Sequence, residues 1–189
     1  MRFAAFLIAL TAVPAFGQIQ SSPARPAPVA AKPATGTIPG ERPTIALETV
    51  ADLEVKMKDT IIISGGTSPF VLIGLPRGVY VSGIGAIYTC EIELSPTPTP
   101  LFQTTINPDQ KAQTHQRKTA QLPRWMQVMK DLTKMTATSL ASMPDSEQVI
   151  VSARLVYRAW EDNSGLPGQI VMRADRRSAL NGDVKTTVQ

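Results

Sequence analysis

The chain holds one thiol and one imidazole, Cys90 and His115. A thiol catalyst would need both within hydrogen-bond reach and partly open to solvent. Cys90 falls on the apolar positions of an alternating stretch, Ile84, Ala86, Tyr88, Cys90, Ile92 and Leu94. That placement predicts a buried, inert thiol. His115 sits in the polar run DQKAQTHQRKTAQ, which predicts an exposed imidazole. A Cys-His dyad is therefore not expected. One Cys forms no intramolecular disulfide, and one Cys with one His builds no zinc-type cluster.

Glu91 and Glu93 stand two residues apart on the polar positions of the same stretch. Strand rise places them about 6.5 to 7 Å apart, a spacing that inverting glycosidases use for their acid and base. Any i, i+2 pair on a strand has that spacing, and the 2 Trp, 3 Tyr and 5 Phe of the chain leave few rings to stack a sugar. The pair is read as a solvated edge. Gly65-Gly66 and the glycines from Gly74 to Gly85 match neither GxGxxG nor GxxxxGK[ST]. Glycine in GVYVSGIG is expected to serve bulges or tight turns. Asp162 and Asn163 in EDNSG lack the further oxygen ligands of a calcium loop, so the segment reads as a hairpin turn. No catalytic residue, metal or cofactor is expected.

Two groups of charge remain as binding candidates. Lys111, Arg117, Lys118, Arg124, Lys130 and Lys134 oppose only Asp109 and Asp131, a local excess that equals the net charge of +4 of the whole chain. As a single patch they would contact an anionic partner; as scattered charges they are a solvated helix face. No aromatic residue interleaves the first half of the run, which argues against nucleic acid. The second group is Arg154, Arg158, Arg173 and Trp160, expected to gather on the wet side of a hairpin as a recognition patch.

Positioning these residues requires a sheet and a long helix. Ile84 to Leu94 and Val149 to Ala159 alternate apolar and polar residues, the mark of strands with one buried face. Gln169 to Ala174 reads as the strand returning from the EDNSG turn. Thr60-Ile61-Ile62-Ile63, Phe70 to Leu75 and Val79 to Val81 read as further short strands. Residues 45–57 fit either period, with a lean to helix in the front half. Asn107-Pro108-Asp109-Gln110 is a strong helix start. The apolar series Leu122, Trp125, Met129, Leu132, Leu140 and Met143 continues that helix, with a kink or restart at Pro123 and an end at Pro144. The expected fold is α+β: a small antiparallel or mixed sheet packed by one long, Pro-kinked helix.

The N-terminus reads as an address. Arg2 precedes an 11-residue apolar run, Phe3 to Val13, then Pro14 and Ala15-Phe16-Gly17. This is the pattern of a secretory signal peptide, residues 1–17, cleaved after Gly17. No Cys lies near that cleavage site, which excludes a bacterial lipoprotein. As a helix the run spans about 16 Å, half a bilayer core, and no later segment reaches the length of a membrane span. Residues 18–43 carry six prolines with no apolar periodicity and read as a disordered spacer. A single α+β domain is expected over 44–180, with a disordered tail over 181–189. The expected function is a non-catalytic binding or scaffolding domain, periplasmic or extracellular, whose partner is an envelope protein or an anionic polymer. The alternatives are a small hydrolase without a recognisable motif and an accessory subunit of an envelope complex.

Overall fold

The computed structural model describes residues 45–97 and 106–189. The leader, residues 1–17, and the proline-rich spacer, residues 18–43, lie outside the described residues. The described chain runs α1 (Leu47–Ser64), β1 (Val71–Leu72), β2 (Arg77–Val81), β3 (Gly85–Glu93), α2 (Pro108–Ser139), β4 (Gln148–Leu155), β5 (Gln169–Asp175), α3 (Arg176–Asn181) and β6 (Lys185–Val188). The fold is α+β, a mixed sheet of six strands packed against helices.

The sheet order is β1-β3-β4-β5-β6, with β2 beside β1 on the same edge of β3. β3 and β4 are parallel neighbours, and every other pairing is antiparallel. A parallel pair needs a crossover, and α2 supplies it. Period-2 alternation then sorts the strands into two faces. Ala86, Tyr88, Cys90 and Ile92 of β3, Val149, Val151, Ala153 and Leu155 of β4, and Ile170, Met172 and Ala174 of β5 are buried. α2 touches α1, α3, β4 and β5, which places the helices in one layer over that face.

Helix α2 starts where the capping residues require it. Asn107 accepts from the Asp109 amide at 3.0 Å, and the Gln110 side chain accepts from the Asn107 amide at 3.2 Å. Its buried line is Thr114, Lys118, Trp125, Val128, Met129, Leu132, Thr133, Thr136 and Ala137. Trp125 meets Phe70 edge to face, with ring centroids 5.1 Å apart. The expected restart at Pro123 does not occur: one helix runs through it and ends at Ser139, before Pro144. Leu140 and Met143 still reach the core from the turn that follows.

Two more expectations are corrected. Residues 60–63 are the last turns of α1, not a strand. Ile61 continues the buried line of Val50, Leu53 and Met57, and docking that line outweighs the weak helix preference of β-branched residues. The ambiguous 45–57 stretch likewise resolves to helix. Residues 181–189, expected to be a disordered tail, instead close α3 and form β6 against β5. All four β6 residues are exposed, so no apolar alternation announced the strand; backbone pairing with β5 holds it.

The edge formed by β2 is guarded. The Gly78 amide donates to Glu54 Oε1 at 2.8 Å, a side-chain acceptor over the edge that blocks a further strand there. Glu147, just before β4, instead ties down the β2–β3 turn, accepting from Tyr80 Oη and the Gly83 amide at 2.9 and 2.7 Å. Glycine serves close packing here. A Cβ at Gly78 would stand 2.2 Å from Cε1 of Tyr88, and one at Gly85 (φ +131°) would stand 1.9 Å from the Gln148 carbonyl oxygen.

Candidate functional site: the uncovered face of the sheet

Parity places Arg77, Val79 and Val81 of β2, Ile87, Thr89 and Glu91 of β3, Ile150, Ser152 and Arg154 of β4, and Gln169, Val171 and Arg173 of β5 opposite the helix layer. On this face the register makes one row of Val79, Ile87, Ile150, Arg173 and Lys185. Arg173 and Lys185 are thus direct cross-strand neighbours. Like charges in that relation repel, and among the described residues neither has an ion pair. They line a shallow cavity of about 830 Å³ with Gln148, Asp175, Asp183 and Thr187. Asp175 is turned to another task, accepting from the Ser178 amide and hydroxyl at 2.8 and 2.9 Å. Those bonds hold its carboxyl below the usual carboxylate range.

A second cavity on the same face, of about 390 Å³, is lined by Ile73, Leu75, Arg77, Glu91, Ser152 and Arg154, among others. Arg154 pairs with Glu91 at 3.0 Å across the parallel strands, and Gln169 donates to the Ser152 hydroxyl at 2.8 Å. Ile73, Leu75, Val79 and Val81 leave apolar surface exposed around these polar groups. Cations and apolar side chains therefore share one open surface.

The expected hairpin patch is divided by the structure. Arg154 and Arg173 lie on the open face, one in each cavity. Arg158 and Trp160 lie beyond β4, in the 156–168 loop. Arg158 pairs with Glu93 at 2.9 Å. Glu93, expected on a solvated edge, is only 2% exposed, so Glu91 and Glu93 each face an arginine rather than each other.

The expected basic helix face is divided too. Lys118 is the clearest correction. It points into the buried side of α2, 1% exposed, with Nζ 2.5 Å from Glu161 Oε2 and 5.3 Å from the centre of the Tyr157 ring. Glu161 also accepts from Thr97 Oγ1 at 2.8 Å, and Tyr157 Oη donates to the Pro167 carbonyl at 2.7 Å. Burial pushes the Tyr157 phenol up to about 12, with the Glu161 charge adding to it. Arg117 donates to Thr114 at 3.2 Å. The Arg124 guanidinium lies against Gly66, just past α1. Lys130 and Lys134 are exposed but sit about a third of a turn round from Arg117 and Arg124. Lys111 stands alone in the first turn. The six cations make no common plate.

The remaining chemistry is accounted for structurally. Cys90 is a core thiol that burial pushes up to about 12. His115 is half-buried rather than exposed, its Nδ1 2.9 Å from the Asp162 carbonyl oxygen. Asp162 closes the EDNSG turn by accepting from the Ser164 amide at 3.0 Å. Among the described residues no three His, Cys, Asp or Glu side chains stand close enough to hold a metal ion. No helix among them is long and apolar enough to cross a membrane.

Sequence reading reached Arg154 and Arg173 on this face but missed Lys185 and Arg77. A pairing of Lys185 with Arg173 depends on β6, which has no sequence period. Comparison with family models, curated proteins and solved structures finds no match to this chain.

Proposed function

We infer that the protein is an exported, non-catalytic binding domain that holds an acidic protein partner of the cell envelope on its uncovered sheet face. The observation that carries this reading is the unneutralised Arg173–Lys185 pair on β5 and β6, on the same sheet face as the exposed apolar residues at the β1 and β2 edge. A sheet face bearing both charge and apolar surface suits a partner with acidic and apolar side chains. A uniformly anionic polymer would leave Ile73, Leu75, Val79 and Val81 unused. Export rests on the leader pattern of Arg2, the Phe3 to Val13 run and Ala15-Phe16-Gly17. A spacer over residues 18–43 would let the domain reach a partner away from the membrane surface.

The test is capture from the exported fraction at low and high salt, with the natural chain and with Arg173→Glu/Lys185→Glu. The expected result is an acidic protein retained at low salt, released by salt, and lost in the double variant. Retention of a polymer alone, or capture that the double variant leaves intact, would refute the reading. Secretion is checked separately: the exported chain should begin at Gln18.

A further inference from the structure

Strand β6 ends the sheet, and the ladder fixes which of its backbone groups face outward. Gln169 and Gln189 exchange both backbone hydrogen bonds, each at 3.0 Å. In an antiparallel ladder such pairs alternate with pairs that exchange none. The register then bonds Val171 to Thr187 and Arg173 to Lys185. Thr186 and Val188 fall between these pairs, so their amides and carbonyls point away from β5. Among the described residues no strand lies beyond β6, and all four of its residues are exposed. The opposite edge of the sheet has the Glu54 carboxylate over the Gly78 amide; among the described residues no side chain does the same for Thr186 or Val188. The strand reads Lys-Thr-Thr-Val, β-branched in three of its four residues and therefore suited to further pairing. Lys185 and Thr187 face the uncovered side of the sheet, Thr186 and Val188 the helix side. Lys185 thus has Arg173 on one flank and no described residue on the other.

We propose that the acidic partner binds by strand addition: an extended segment of it pairs antiparallel with β6 and sets a carboxylate directly opposite Lys185. This rests on the reading of the sheet face as the site for an acidic protein, and it names the form in which that partner arrives. Thr186 and Val188 each exchange a pair of backbone bonds with the added strand. Lys185 stands next to such a bonded position, where opposed Cα atoms are about 4.5 Å apart and side chains come closest. An acid there forms an ion pair and offsets the repulsion between Lys185 and Arg173, whereas a cation there would add to it. The β5 residues along β6, Ile170 to Arg173, hold no acid. Asp183 lies before the paired strand and makes no ion pair with Lys185 or Arg173. A second copy of β6 does not meet the requirement, because Lys185–Val188 contains no carboxylate side chain.

Amide hydrogen exchange of the protein purified from its producing cells tests this, with the peptide acetyl-Thr-Val-Thr-Val-Glu-Val-amide as probe. Its Glu falls opposite Lys185 when its first Val pairs with Val188. Saturating probe should slow exchange at the Thr186 and Val188 amides at least about tenfold. The same peptide with Lys in place of Glu should bind about fivefold more weakly, and Lys185→Glu should reverse that preference. Thr186→Pro removes an outward donor without breaking a bond to β5. It should abolish probe protection at Val188 and leave the unfolding midpoint in place; if the midpoint falls, the charge reversal decides alone. Unchanged exchange at Thr186 and Val188 overturns the proposal. So does a probe preference that Lys185→Glu leaves as it was, or protection that appears with protein concentration alone, which would make a second copy the occupant. Capture of an acidic protein that a folded Thr186→Pro chain retains in full also overturns strand addition, while leaving the sheet face as the site. Probe protection with no acidic protein captured upholds the edge site and refutes the wider reading.

Discussion

At the scale of single residues the Lys118–Glu161 pair dominates. Both side chains are 1% exposed, so removing one partner leaves the other charge buried and uncompensated. Lys118→Met should cost about 3 to 5 kcal/mol, read from the urea midpoint. Lys118→Met with Glu161→Leu should recover much of that loss, since an apolar pair of similar volume carries no stranded charge. A double variant no more stable than the single one would show that the pair itself, rather than its desolvation, holds the loop. Nothing in the sequence marked Lys118 as buried. It lies one helical turn from the buried Thr114 on the line that leads to Trp125, but lysine on a polar helix reads as solvent-facing. Glu161, its partner, is 43 residues away in a segment legible only as a turn. Cys90, by contrast, was placed correctly by parity alone.

Elements differ in how far their own residues determine them. β3, β4 and β5 follow their alternation, and the start of α2 follows its capping box. α1 required its docking line to extend through Ile61, and β6 required the edge of β5. Pro123 shows the same contest inside a helix. Proline removes one backbone donor and crowds the preceding turn, yet α2 continues because residues on both sides of it are buried, Thr114 and Lys118 before it and Trp125, Val128 and Met129 after it. Pro123 is exposed, so Pro123→Ala should raise stability by about 1 to 3 kcal/mol, measured by thermal unfolding. A drop instead would mean that the proline sets a bend on which Trp125 depends. Asn107→Ala should act in the opposite direction, costing about 1 kcal/mol through the lost cap.

Among the described residues the helices cover one side of the sheet, and both faces have consequences. The covered face buries groups that ionise at high pH. Burial raises Cys90 from 9.0 to about 12 and Tyr157 from 10.0 to about 12, and raises Tyr88 further. Each holds its proton more tightly folded than unfolded. Their contribution is therefore intact below about pH 9 and falls as pH climbs toward 12, by about 1.4 kcal/mol per pH unit for each group in its window. Urea midpoints should stay level from neutral pH to about 9 and decline above it. Cys90→Ala should delay the onset of that decline, because the thiol is the first group to ionise in the unfolded chain. The uncovered face, with its cations and apolar side chains, is where the proposed partner would bind.

What the sequence determined by itself is what short-range geometry encodes. Alternation sets which side of β3, β4 and β5 is apolar, the capping residues set where α2 begins, and the single Cys and His exclude an intramolecular disulfide and a Cys/His metal cluster. The class of the fold followed from those signals. Only the tertiary structure decided which charges share a surface. It separated Arg154 and Arg173 from Arg158, withdrew Lys118 into the core, and set Lys185 beside Arg173. Those placements depend on strand order and on contacts between segments far apart in the chain, and no local period carries that information.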